Sequence, residues 1–222
     1  FKPLAVLKWL FGYPGYFLPW NVIYMALPVV IWFYFTPPLE EMKTFAAGWI
    51  VYLLLRNLVL ILAVAGAWHL WLYVRKAQGS DWKYTNKWLA RDNPIFLFRN
   101  QVFDNLFWTV VSAVPIWTAW EALTYWFYAN GHIPYLSIEE HPIYFLFMLA
   151  IIPLLRDLHF YFIHRLIHWG PLYRWVHYLH HNNVTYGPLS GTSMHPVEHL
   201  LYFSGVVIHW IVPSHPIHAL FH

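Results

Sequence analysis

The stretch PIYFLFMLAIIPLLRDLHFYFIHRLIH (142–168) begins as a membrane span and ends on histidine. Its part from about 142 to 162 is apolar enough to cross a bilayer, for which roughly 20 residues suffice. Its last turn places His164 and His168 four residues apart, which on a helix is one face. A polar, metal-loving pair at the end of an apolar rod is a costly arrangement unless something satisfies it.

Working outward, three more segments read as spans. They are 16–35, without charge, about 45–74, with Arg56 in its interior, and about 105–129, which carries Glu121. A fifth apolar stretch, LLYFSGVVIHWIV (200–212), is short for a span and reads as re-entrant or interfacial. The whole chain of 222 residues is 59% hydrophobic and 10% charged, where soluble domains carry about 25% charged residues. The fold class expected is all-α integral membrane, with about four transmembrane helices and a cytoplasmic histidine-rich helical cap. One domain is expected over 1–222, with 1–155 mainly spans and loops and 156–222 the histidine region. Cysteine is absent, which excludes a disulfide, a thiolate nucleophile or an iron–sulfur site within this chain. The net charge of +3 is scattered between greasy segments, which argues against nucleic acid as a partner. The N-terminus lacks the small-residue pattern of a cleavable signal peptide.

Lys and Arg set the orientation. Lys2 and Lys8 precede the first span, and the loop PPLEEMK after it is acidic on balance. The next loop carries Arg75, Lys76, Lys83, Lys87, Arg91 and Arg99. The third, NGHIPYLSIEEH, has neither Lys nor Arg, and Arg156, Arg165 and Arg174 follow at the fourth span's end. Positive and non-positive loops alternate as four crossings require. Both termini, the 75–99 loop and the histidines therefore fall on the cytoplasmic side. The 75–99 segment itself reads as a surface loop with a short amphipathic piece, suited to anionic headgroups.

Twelve of the fifteen histidines lie in 159–222. His164 with His168, His177 with His181, and His195 with His199 are pairs four apart, and His180 follows His177 by three. Neutral imidazole is the commonest metal ligand, and several helices each presenting such a pair can enclose metal. Asp157 precedes His164 by seven residues and falls near the same helical face, as a ligand or as support for one. HPVEH (195–199) reads as a loop entering a helix, with Pro196 in its first turn and Glu198 near the site. His159 is turned away from the His164 face and reads as accessory or structural. His69, His132 and His141 read as hydrogen-bonded packing residues. His209, His215, His218 and His222 match no strong metal pattern.

HRLIH (164–168), HYLHH (177–181), SMHPVEH (193–199) and DLHFYFIHR (157–165) together resemble the fatty acid hydroxylase/sterol desaturase superfamily. The recognisable block is about 157–199. The resemblance implies a multi-pass membrane protein, of a bacterial inner membrane or the endoplasmic reticulum, with two iron ions on the cytoplasmic side. It implies an O2-dependent hydroxylase or desaturase of a lipid held in the bilayer. It also implies electrons from NAD(P)H through a cytochrome b5-type or ferredoxin-type carrier. His164, His168, His177, His180, His181, His195 and His199 are then the expected metal residues, with Asp157 and Glu198 as catalytic or orienting carboxylates. The family pattern has a further HxxHH near its C-terminus. Here HYLHH occurs once, and His215, His218 and His222 are spaced differently. The expectation is a chain that stops short of the third box, with a divergent member holding an incomplete site as the alternative.

Two other classes compete. A zinc-binding membrane protein or metal transporter requires ionisable residues along the middle of several spans, and Arg56 and Glu121 are the chief candidates. A bis-histidine haem protein requires histidines facing each other from different spans, such as His69 and one near 159–164, and leaves most of the cluster unexplained.

Overall fold

The computed structural model describes residues 2–81, 83 and 85–222. Phe1 at the start of the chain, and Trp82 and Tyr84 in the cationic loop, lie outside the described residues. Ten α-helices are described: α1 Pro3–Phe11, α2 Val22–Phe35, α3 Ala47–His69, α4 Gln101–Trp108, α5 Val114–Ala129, α6 Pro142–Ile167, α7 Gly170–Leu172, α8 Tyr178–His181, α9 Pro196–Phe203 and α10 Pro216–Phe221. Among the described residues there is no strand, only isolated bridges at Arg91 with Asn100 and Tyr135 with Ser214.

Four of these rods are long and apolar enough to cross a membrane: Phe17–Phe35, Ala47–Val74, Gln101–Ala129 and Pro142–Ile167. The protein is an all-α membrane protein. The rods reach their length because π turns at Leu70–Val74 and Thr109–Ala113 prolong α3 and fuse α4 to α5. Pro142 sits where a proline's missing N–H costs nothing, in the first turn of α6. On α6 the side chains of Ile143, Leu146, Phe147, Leu154, Leu158 and Phe162 are exposed, as suits a helix solvated by lipid. The stretch 200–212 is not a span. It holds the end of α9 and the 3₁₀ helix Ser204–Trp210.

The chain divides into two compact units, interleaved in sequence. The first comprises residues 1–45, 123–159 and 205–222. Its core is Leu136, Phe145, Leu149, Ile152, Ile217 and Phe221, flanked by Met25, Val29 and Trp32, so α10 is packed among residues of α2 and α6.

The second unit comprises residues 46–122 and 160–204. Apolar burial drives helix association weakly in lipid, so polar contacts and close packing carry more of the specificity. Two polar systems do this here. In the first, Arg56 on α3 pairs with Glu121 on α5, both with 5% of the side chain exposed. Asn57 completes it, accepting from Arg56 Nη2 at 2.8 Å and donating to Glu121 Oε2 at 2.8 Å and Thr118 Oγ1 at 3.1 Å. The two interior charges noted in the sequence are therefore spent on each other, a closed pair rather than an ion path.

The second system is a ladder along α4 and the π turn after it. Gln101 Nε2 donates to Asn183 Oδ1 at 2.9 Å, and Asn105 Nδ2 to Ser190 Oγ at 3.0 Å. Thr109 Oγ1 meets Thr192 Oγ1 at 2.8 Å, and Ser112 Oγ meets His199 Nδ1 at 2.8 Å. These residues share one helical face. They fasten segment 183–199, which carries the second half of the site, to a membrane rod. The rod's first turn is secured by Asn100, whose Oδ1 accepts from Val102 N at 2.9 Å.

Candidate metal centre

The last turn of α6 does not stop at its final helical residue. His168 N donates to His164 O at 3.2 Å, so both imidazoles remain on one face. Trp169 is extended, and Pro171 starts the short α7. The chain then enters a π turn at Tyr173–His177 that leads into α8. Such widened turns recur at functional sites because they shift the register of the residues that follow. Here His177 and His181 emerge four apart, facing the first pair.

Four Nε2 atoms follow one another in a chain of contacts. His164 Nε2 lies 3.1 Å from His168 Nε2, which lies 3.2 Å from His177 Nε2, which lies 2.9 Å from His181 Nε2. One ring nitrogen from each of His164, His168 and His177 falls within 4.8 Å of the others. His177 is fully buried, while His168 and His181 are exposed, so the ring opens outward on their side. Phe160 packs on His164 at 5.1 Å between ring centres, Tyr173 stacks on His168 at 5.6 Å, and Tyr202 meets Phe160 at 5.9 Å. The walls are therefore aromatic.

Protons alone do not satisfy this ring. His177 Nδ1 lies 2.8 Å from Glu198 Oε1. A carboxylate oxygen accepts, so the Nδ1 carries the hydrogen and Nε2 presents a lone pair. His168 has one Nε2 position to spend on two neighbours. The one neutral assignment that pairs donor with acceptor throughout puts hydrogens on His168 and His181 Nε2, and it makes a single N–H of His168 serve two acceptors and a single lone pair of His177 serve two donors. Charging the rings is opposed as well. Burial, then the neighbouring His168, lowers His177 to about 4. His181 is lowered by burial and by His177 and His168. A cation among the ring nitrogens of His164, His168 and His177 relieves the crowding there, and neutral imidazoles are the form that binds it. Two further atoms point the same way. His180 Nδ1 and Glu198 Oε2 are buried with no hydrogen-bond partner among the described residues. The donor set thus fits a transition metal, with Glu198 in the orienting role that carboxylates play behind metal-bound histidines.

The remaining residues named from the sequence sit as follows. His180 stacks on His177 at 5.6 Å between ring centres. Burial lowers it, opposed by Glu198 and by a hydrogen bond to the Ser193 backbone. His195 caps α9, its Nδ1 accepting from Val197 N at 3.2 Å, with Pro196 in the first turn. Glu198, one turn into α9, is raised to about 7 by burial. His199 is fully buried and engaged on both sides, with Nδ1 on Ser112 Oγ and Nε2 3.2 Å from the Thr192 carbonyl. Asp157 is exposed on α6 and belongs to the other compact unit. Arg165 donates to Tyr161 Oη at 3.1 Å.

Residues 147–222 match the fatty acid hydroxylase family model. The chain is 31% identical over 91 residues to methylsterol monooxygenase 1 of Gallus gallus, a match covering 38% of this chain and 30% of that protein. It is 41% identical over 54 residues to methylsterol monooxygenase erg25A of Aspergillus fumigatus, covering 24% of this chain and 18% of that protein. The segment matched by the family model includes the histidines that build the ring. The match to the family model and to these relatives supports a place in the fatty acid hydroxylase/sterol desaturase superfamily for the histidine-rich end of the chain. The chain spans less than a third of the length of these relatives. No solved structure matches it.

The sequence did not single out Gln101, Asn105, Thr109 and Ser112. Their signal was available as polar residues four, four and three apart inside an apolar rod. A search for apolar runs starts the span at about 105 and discards Gln101 and Asp104 as flanking loop.

Proposed function

We propose that the protein is a membrane-bound lipid oxygenase, and that its imidazole ring holds iron. The observation that carries this reading is the convergence of one ring nitrogen each from His164, His168 and His177 within 4.8 Å of one another, with His181 Nε2 2.9 Å from His177 Nε2. Bound iron supplies O2 reduction and, with it, an oxidant able to take hydrogen from an unactivated C–H bond. Everything else falls to the chain's own residues. Glu198 holds the proton on His177 Nδ1 and so keeps its Nε2 turned to the ring. His180 offers its unpartnered Nδ1 as a further ligand. His199 braces the site through Ser112 and Thr192, and His195 fixes the start of the helix that carries Glu198. Phe160 and Tyr173 pack against the rings of His164 and His168 and hold them in place. Asp157 is kept as a ligand or as support for one.

The resemblance supports two irons per active protein, and the ring accounts for the ligands of one. The relatives' names support a sterol or sterol-like lipid as substrate. Electrons then come from NAD(P)H through a cytochrome b5-type or ferredoxin-type carrier, and the distribution of Lys and Arg supports a cytoplasmic site. The closed Arg56–Glu121 pair argues against metal transport.

The test is elemental analysis of detergent-purified protein after anaerobic iron loading. At least one iron per chain is expected, falling to background in His177→Ala, together with O2- and reductant-dependent oxidation of a methylsterol. Stoichiometric zinc that iron does not displace, or no metal at all, overturns the oxygenase reading.

A further inference from the structure

The span Ala47–Val74 ends at two clefts that meet at Tyr73. The larger, about 460 Å³, is lined by Tyr73, Lys76, Trp88 and Arg91 over apolar Val74, Leu89 and Val102. The smaller, about 190 Å³, has Gln78, Lys83 and Thr85 on its wall. Tyr73 is fixed by a hydrogen bond from its hydroxyl to the Tyr186 carbonyl. Lys76 Nζ and Lys83 Nζ both stand over the Trp88 ring, at 4.5 and 3.7 Å from its centre. Two ammonium groups thus share one indole, and Arg91 lines the same cleft.

No carboxylate lines either cleft among the described residues. The nearby Asp92 is held by Arg99 at 2.8 Å. The indole face offsets part of the repulsion between the ammonium groups, but a cluster of like charges without a counter-charge gains most from an anion. Lys76 also adopts φ 51°, a left-handed conformation that a lysine holds only when its surroundings enforce it.

We propose that these clefts hold the phosphate of one anionic phospholipid, with Lys76, Lys83 and Arg91 on the phosphate and the Val74, Leu89 and Val102 wall against the start of its acyl chains. The chemistry is that of a phosphodiester, and its source is the bilayer. The clefts adjoin the last residues of a span, where the membrane itself supplies headgroups at high local concentration. An acidic carrier protein is a poorer fit, because a stable protein contact needs roughly 1,000 Å² or more of matched surface rather than a cleft. The inference is independent of the oxygen chemistry.

Native mass spectrometry of the detergent-purified chain, titrated with phosphatidylglycerol or phosphatidylcholine, tests it. One phosphatidylglycerol is expected to stay bound where phosphatidylcholine is lost. Affinity should fall about fivefold in Lys83→Gln and roughly a hundredfold in the triple Lys76→Gln/Lys83→Gln/Arg91→Gln, from the usual worth of a cation at a lipid surface. Lys2→Gln/Lys8→Gln should leave it unchanged, and Lys76→Arg/Lys83→Arg should retain the lipid, which separates lost charge from lost folding. Equal retention of the two lipids, or of phosphatidylglycerol in the triple variant, overturns the proposal. Displacement of the lipid by millimolar inorganic phosphate assigns the site to free phosphate instead. A triple variant that keeps its lipid but loses reduction by an acidic carrier assigns the face to that carrier.

Discussion

Two regions of this chain are rich in histidine and use it in opposite ways. In the ring of His164, His168, His177 and His181, the Nε2 atoms are aimed at one another. In His215 and His218, near the C-terminal end, the bonded nitrogens are spent on the backbone. His215 Nδ1 accepts from Ile217 N at 3.1 Å, and His218 Nδ1 accepts from His215 N at 2.9 Å. His218 Nε2 lies 3.0 Å from the Phe145 carbonyl, to which it donates. His215 packs its ring on Trp32, Tyr135 and Phe145. Histidine density therefore does not mark a metal site. The identity of each nitrogen's partner does, because an imidazole committed to backbone groups at both edges has no lone pair left to offer.

The sharpest way to break this contrast is to remove one histidine from each region. His177→Ala is expected to abolish metal retention, measured as iron per chain after gel filtration. The same substitution at His218 should leave the metal content unchanged.

Acidification should separate the regions next. Burial lowers both His215 and His218 to about 4. Between about 4 and the ordinary histidine value near 6.5, the unfolded chain therefore binds more protons at these positions than the folded chain does. Their contribution to stability is complete above 6.5 and is lost as the pH falls towards 4. Glu198, raised to about 7 in the metal-free protein, works in the opposite sense between its ordinary value and 7. Thermal unfolding of metal-free protein should weaken from pH 7 to 4, with a shallower slope in His215→Phe/His218→Phe. An unchanged slope removes these residues from the account.

Glu198→Gln keeps the shape of the side chain but weakens the grip on His177 Nδ1. Metal affinity should fall by about 10- to 100-fold, as it does when such orienting partners are lost, with helical content unchanged by circular dichroism. His218→Phe should cost about 1–3 kcal/mol in denaturant unfolding, because the Phe145 carbonyl and the His215 N–H lose their partner in a buried place. The smallest effect belongs to Ser112→Ala, about 1 kcal/mol, from one hydrogen bond to a histidine that the protein also holds through Thr192.

Much of the fold was legible in the chain, and the reason is local. Whether a segment spans a bilayer depends on its own composition, so the expected spans 16–35, 45–74, 105–129 and 142–162 fall close to the observed rods. The third rod begins earlier, at Gln101, because its first turns are polar on the face that carries the ladder. Within the site, the pairs His164/His168 and His177/His181 could be read from helical spacing, and Glu198 from its place in HPVEH. His180 and His181 could not be told apart by spacing, since both follow His177 within one turn. In the structure His181 Nε2 lies 2.9 Å from His177 Nε2, while His180 Nδ1 has no hydrogen-bond partner among the described residues. His199 reads in the sequence as the equal of His195, and Ser112 and Thr192, from distant parts of the chain, make it a brace.

The sequence by itself determined that this is a four-span membrane protein whose chemistry gathers at the histidine-rich end. Hydropathy and helical periodicity are properties of neighbouring residues and survive without a fold. Only the tertiary structure decided which imidazoles face one another, which are spent on the backbone, and that Arg56 and Glu121 neutralise each other within the second unit. Those outcomes depend on where lone pairs and N–H groups meet across tens of residues, and no local pattern carries that information.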